Sequence, residues 1–289
     1  MIPAQFEYEA PGTLAEAVAL LAQDPEGTKV LAGGHSLIPA MKLRLAQPQR
    51  LVDIGRIREL SYVREQADQI LIGALTTHYE LESSELLKRI CPLLPDCAGS
   101  IGDVQVRNKG TIGGSLAHSD PAGDWPAAAI SLNADVVLVG PKGERTMKAV
   151  DFFVDLLTTA LQPGEILREV RIAKPQGRFG HAYQKVPHPA SGFAVVGIAV
   201  NLSLNSDGSC SAASVGVTGV ASKAYRPRAM ENALAGKQLD EQTIVAATAH
   251  VCDGVDVNSD LYASDEYRRH LAVVHAARAV RAAVSRAKS

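Results

Sequence analysis

Apolar positions at Leu14, Ala17, Val18 and Leu21 recur at helical spacing, and Thr13 with Glu16 makes a capping box where that pattern starts. A short strand around Phe6 precedes this helix. Lys29 to Leu31 reads as a strand, Ile38 to Leu45 as a helix and Leu51 to Ile54 as a strand, giving a β-α-β opening. Gln69 to Thr77 is an apolar strand that leads into a helix over Tyr79 to Ile90, broken at Pro92 and Pro95. A second helical stretch ends near Ile101, Gln105 to Lys109 is a polar connector, and Ala127 to Leu132 is an Ala-rich helix opened by Trp125-Pro126. Strands are expected at Ala134 to Val139, after the turn at Pro141 to Glu144, and at Ile166 to Ile172.

The texture changes after a Pro- and Gly-containing linker at Lys174 to Gly180. Tyr183 to Val186, Phe193 to Leu204 and Ser211 to Val220 read as antiparallel strands, the last two joined through Asn205-Ser206-Asp207-Gly208. Helices over Arg228 to Ala235, Asp240 to Cys252 and Ser264 to Ala287 close the chain. Asp265 and Glu266 in the first turn of the last one, and Arg281, Arg286 and Lys288 near its end, suit the helix dipole. The expected organisation is a first domain over 1–177, in lobes of about 1–56 and 57–177, and a second over 178–289.

A length of 289 residues is enough for about two domains with a sizeable core. The net charge of -2 gives no basic field to attract nucleic acid. No apolar run approaches the roughly 20 residues of a transmembrane segment, and the N-terminus lacks a basic leader, so a cytoplasmic location is expected. Cys91, Cys97, Cys210 and Cys252 are dispersed and the eight histidines form no H-E-x-x-H, so neither a metal nor an iron-sulfur site is expected in this chain.

Candidate chemistry lies in two glycine pairs. LAGGHSL at Leu31 to Leu37 and GTIGGSLAHSDPAGDWP at Gly110 to Pro126 each place Gly-Gly next to a small hydroxyl residue at the end of an apolar run. One such pair is an ordinary turn, whereas two suit a single anion, because glycine lets backbone N–H groups close on a phosphate without Lys or Arg. A pyrophosphate is the natural candidate. Neither segment is the Rossmann G-x-G-x-x-G nor the P-loop G-x-x-x-x-G-K-[ST]. Asp124, at a helix start, is either a cap or a hydrogen-bond acceptor for a ligand.

Three stretches, AGGHSLIPAMKLRLAQP, QVRNKGTIGGSLAHSDPAGDWPA and KVPHPASGFAVVG, occur in this order. Together they resemble the FAD-binding medium subunit of molybdenum hydroxylases, the group that contains carbon monoxide dehydrogenase and the flavin part of xanthine dehydrogenase. The resemblance implies an α+β fold: a two-lobed FAD-binding domain of the PCMH/CO dehydrogenase flavoprotein type, then a small domain with a three-stranded antiparallel sheet and a helical bundle. It also implies an oxidoreductase subunit that takes electrons from the two [2Fe-2S] clusters of a small partner and passes them to an external acceptor. A large molybdopterin-binding subunit would oxidise the substrate, and the assembly would be a dimer of heterotrimers.

Carried over by residue, the resemblance has Ala32, Gly33, Gly34, His35, Ser36 and Leu37, with Thr111, Ile112, Gly113, Gly114 and Ser115, wrapping the FAD pyrophosphate. Ile101 would lie against the cofactor, Asp124 would hydrogen-bond to it and Leu167 would contact its adenine side. Lys185 would approach the flavin ring, and Phe193 stands where family members often have Tyr. No acid-base catalytic residue is implied, since the flavin carries the redox chemistry. Asp103-Val104 departs from a His-Pro pair common in the family, and Trp125 from an aliphatic residue. Two alternatives stay open: a single-chain oxidase with flavin bonded covalently through His35, since GGHS also resembles that loop, and a non-catalytic nucleotide-binding scaffold subunit.

Overall fold

The computed structural model describes residues 1–288; Ser289 and the side chain of Lys288 lie outside the described set. Three larger sheets organise the chain, beside a two-stranded ribbon of Phe153–Asp155 and Thr158–Thr159. The first is parallel, with Arg50–Asp53 between Glu7–Glu9 and Thr28–Leu31. The helix Leu14–Gln23 covers it, started by the expected box: Thr13 Oγ1 accepts the Glu16 N–H and the Glu16 carboxylate accepts the Thr13 N–H. Ala17, Val18 and Leu21 from that helix pack on Val52 and Ile54, and the cluster is completed by Leu75 and Ile166 from the neighbouring sheet.

The second sheet is antiparallel, in the order Val63–Gln66, Gln69–Gly73, Ile166–Ala173, Asp135–Gly140, Gly143–Lys148. Short helices cover one face. The expected helix over Tyr79 to Ile90 is two helices, His78–Ser83 and Glu85–Ile90, because Ser84 takes extended backbone and its hydroxyl accepts the Leu87 N–H to start the second. The polar connector is also helical. Asp103 caps Val104–Arg107 through the Val106 N–H, which gives the Asp103-Val104 departure a local structural role.

The third sheet is the antiparallel meander Arg178–Pro187, Ala194–Leu204, Cys210–Thr218, with its turn completed by Gly208 at φ +85°. The terminal helix Asp265–Lys288 packs on its first two strands. The linker is shorter than expected, since the first strand already starts at Arg178.

The helix Asp124–Ser131 joins the sheets. All eight of its residues are buried, the signature of a helix with core on every side. It packs against the second and third strands of the meander, so closely that a Cβ on Gly216 would lie 1.9 Å from the Ala127 carbonyl oxygen. Only glycine fits there.

Candidate functional site

A cavity of about 570 Å³ opens between the first two sheets and reaches the edge of the third. Its first wall is the turn after strand Thr28–Leu31. Gly34 has φ +76°, a conformation that favours glycine. The chain then enters the helix Leu37–Lys42 without a side-chain cap, so the Ser36 hydroxyl is uncommitted. Among the described residues, the N–H groups of Gly33, Gly34, His35, Ser36 and Leu37 donate to no protein acceptor. Consecutive uncommitted N–H groups around a positive-φ glycine form an anion-binding concavity.

The second wall differs from the expected loop. Residues Ile112–His118 are helical, Thr111 is the cap, and the Gly-Gly pair lies inside the first turn. Its N–H groups are already used: Ile112 donates to Thr76 O, Gly113 to Ala74 O, Gly114 to Thr111 Oγ1 and Ser115 to Thr111 O, at 2.9–3.1 Å. The two glycine pairs therefore do different work. Gly113 lets the helix touch the strand end, since a Cβ there would lie 2.5 Å from Ala74 Cβ. At Gly114 a Cβ would meet Thr111 Oγ1 at 2.8 Å and Ala32 Cβ at 3.7 Å, across the space between the walls. The walls also touch directly, for a Cβ on Gly33 would fall 2.2 Å from Lys109 O.

Ala32 to Leu37, Thr111, Gly113, Gly114, Ser115, Ile101, Asp124, Leu167 and Phe193 all line the cavity. Leu157, Leu161 and Leu167 make apolar lining. Ile101 and the half-exposed Phe193 add to it, in a region where Gly192 lies close to Gly102, since a Cβ on Gly192 would be 3.6 Å from Gly102 Cα. Two expected residues are not on the wall. Ile112 turns its side chain into the core, where it is 1% exposed. Lys185 is directed at Ser100 O (2.8 Å) and the Asp124 carboxylate (2.9 Å).

Asp124 is thus neither a simple cap nor an uncommitted acceptor. Tyr183, two residues before Lys185 and so on the same face of its strand, donates its hydroxyl to Asp124 Oδ1 at 2.5 Å. Burial pushes the Asp124 carboxyl above its ordinary value, against the attraction of Lys185 and the Tyr183 hydrogen bond. Burial beside that carboxylate also drives the Tyr183 phenol well up. The three groups are spent on one another.

Sequence reasoning did not single out His78. It is 4% exposed, lies on the cavity wall, and its Nδ1 accepts the Trp125 indole N–H at 3.0 Å. Burial, with His35 and Arg107 nearby, lowers its pKa to about 4. The signal was present in part: Trp125 is the chain's only tryptophan and occupies the start of a buried helix, where its N–H needs an acceptor. His118 and Asp120, 3.8 Å apart, also line the cavity. Among the described residues no cluster of His, Cys, Asp and Glu is suited to a metal, and all four cysteines are free and buried.

These features fit a dinucleotide: an uncommitted run of N–H groups for phosphates, a second wall that glycine keeps thin, and apolar lining for ring systems. Comparison with known proteins agrees. Residues 4–175 match the FAD binding domain in molybdopterin dehydrogenase, and residues 181–283 the CO dehydrogenase flavoprotein C-terminal domain. The carbon monoxide dehydrogenase medium chain of Hydrogenophaga pseudoflava is 40% identical over 99% of both chains. The glyceraldehyde dehydrogenase medium chain of Sulfolobus acidocaldarius is 34% identical over 95% of this chain and 96% of that one. A solved carbon monoxide dehydrogenase of Hydrogenophaga pseudoflava, lacking the Mo-pyranopterin moiety of its molybdenum cofactor, superposes with a TM-score of 0.96 at 42% identity, covering 99% of each chain. The chain therefore belongs to the family of FAD-binding medium subunits of the molybdenum hydroxylases, oxidoreductases of the carbon monoxide and xanthine dehydrogenase type.

Proposed function

We propose that this chain is an electron-transfer subunit that works in the cytoplasm, taking electrons from the [2Fe-2S] clusters of a small partner and delivering them to an external acceptor. A large molybdopterin-binding partner oxidises the substrate. FAD, when bound, supplies a centre that accepts electrons and passes them on. The protein's own task is to hold and orient it. The N–H groups of Gly33 to Leu37 and the hydroxyls of Ser36, Thr111 and Ser115 would hold the pyrophosphate. Leu167 would flank the adenine side, and Ile101 and Phe193 the flavin side.

The observation that carries this reading is the closed set Asp124, Lys185 and Tyr183. An oxidase acting alone needs a base able to reach its substrate, and here the buried Asp124 carboxylate on the cavity wall is committed to Lys185 and Tyr183, neither of which lines the cavity. A similarity to medium chains says little about which substrate the complex oxidises, because that chemistry would lie in the partner.

The test is anaerobic. Flavin in the isolated chain should bleach with dithionite yet stay oxidised with candidate organic substrates, and should bleach with one of them only after the iron-sulfur and molybdenum subunits are added. Reduction by an organic substrate in the lone chain overturns the proposal.

A further inference from the structure

We propose that His78 is a further cofactor-binding residue whose Nε2–H donates to a phosphate oxygen of the bound dinucleotide, and that Trp125 is the positioning residue that fixes this donor. The inference rests on the FAD reading above. An indole N–H can only donate, so the 3.0 Å bond from Trp125 requires a lone pair on His78 Nδ1. The neutral ring then carries its hydrogen on Nε2. Both side chains are packed in place, at 1% and 4% exposure, so exchanging the tautomer would leave the indole N–H buried without an acceptor.

The direction of Nε2 identifies its use. It meets no acceptor among the described residues, although His78 is part of the cavity wall. It lies beside Gly110, where a Cβ would come within 2.6 Å of it, so any larger residue would cover the donor. Gly110 in turn touches the first wall, since a Cβ on Gly33 would lie 2.8 Å from Gly110 Cα. The imidazole N–H therefore sits next to the same turn that offers its uncommitted backbone N–H groups, and an anionic oxygen is the chemistry all of them share. Of the charged or titratable groups acting on His78, Arg107 is held by Glu82 at 2.7 Å and by the carbonyls of Ile101 and Gly102, which leaves His35.

The experiment titrates the flavin-free full chain with FAD, ADP and riboflavin. His78→Leu should weaken FAD and ADP alike, by about ten- to hundredfold, and leave riboflavin unchanged. The double variant His78→Leu with Trp125→Phe removes both polar partners and so provides a stably folded version of the same deletion. Equal affinity of wild type and both variants for FAD, or a loss confined to FAD and riboflavin, overturns the assignment. Wild type that binds neither FAD nor ADP would instead overturn the underlying FAD reading. Trp125→Phe alone leaves the imidazole free to take either tautomer, so it should weaken FAD and ADP together, by less than His78→Leu does, and leave riboflavin unchanged. A purely structural tryptophan would lower the melting temperature and leave the affinities for FAD and ADP unchanged, which would overturn its positioning role.

Discussion

Lys185 Nζ lies 2.9 Å from the Asp124 carboxylate, and with side chains 6% and 5% exposed the two form a buried ion pair between the C-terminal sheet and the helix at the cavity floor. Breaking such a pair from one side costs more than the pair contributes, because a charge is left buried alone. Lys185→Met should therefore destabilise the chain by about 3–5 kcal/mol at pH 8. Since burial already raises the Asp124 carboxyl, the stranded group takes up a proton as the pH falls. The penalty should be smaller near pH 5.5. Urea unfolding at the two pH values measures it, and an equal penalty at both would refute the account.

The two glycine pairs should respond differently to substitution. Gly33→Ala pushes a Cβ into the Lys109 carbonyl, backbone against backbone, and should cost about 1–3 kcal/mol of stability. Gly114→Val meets mainly the Thr111 hydroxyl and the gap between the walls. It should lose FAD while keeping most of the folding stability. Flavin absorbance per chain, set beside the melting temperature of each variant, separates the effects; wild-type FAD content in folded Gly114→Val would exclude the second wall from the site.

Stability should fall in mild acid. His78 and His181 are buried and each has its pKa lowered to about 4, chiefly by burial. Their unfolded values lie near 6.5. Between about pH 6.5 and 4 the unfolded chain thus binds protons that the folded chain refuses, so stability is full above that window and drops through it, by roughly 3 kcal/mol per histidine. Asp124, shifted upward, opposes this with the reverse sign. Neither ring nitrogen of His181 makes a hydrogen bond of good geometry, and Asn201, opposite it in the sheet, gives its amide to Ser131 O. His181→Leu should consequently flatten the profile by about half without loss at pH 8, as followed by unfolding between pH 8 and 5.

His35 separates a bound from a bonded flavin. Its side chain is exposed on the cavity wall, while the adjoining backbone carries the uncommitted N–H groups. His35→Gln should retain most of the FAD, and acid should release flavin equally from variant and wild type. Flavin that remains in the acid pellet only when His35 is present would establish the covalent oxidase.

Local signals were legible where one residue decides a structure. Thr13 with Glu16 announces its helix, and Gly208 its hairpin. Ser84 interrupts a helix without disturbing the apolar periodicity around it, so the pattern continues through the break. Gly113 and Gly114 read as loop because glycine disfavours helix interiors, yet contact with Ala74 holds them in a helical turn. Much of the cavity wall could be named from motifs. The partners of Asp124 and His78 could not, because Tyr183 lies 59 residues from Asp124, and Trp125 lies 47 from His78. Only the packing of the buried helix Asp124–Ser131 brings them together.

The touching of Gly33 and Lys109 has a consequence for how the molecule breathes. The first lobe's core is small and borrows Leu75 and Ile166 from the neighbouring sheet. A dinucleotide spanning both walls adds mass action to that seam: at free flavin a hundredfold above Kd it contributes about 2.7 kcal/mol against opening. The clamp would act chiefly on that boundary and would reach the C-terminal meander only through the Ser191-Gly192-Phe193 loop. Flavin exchange would then be tied to that opening, in which a three-stranded sheet parts from a five-stranded one.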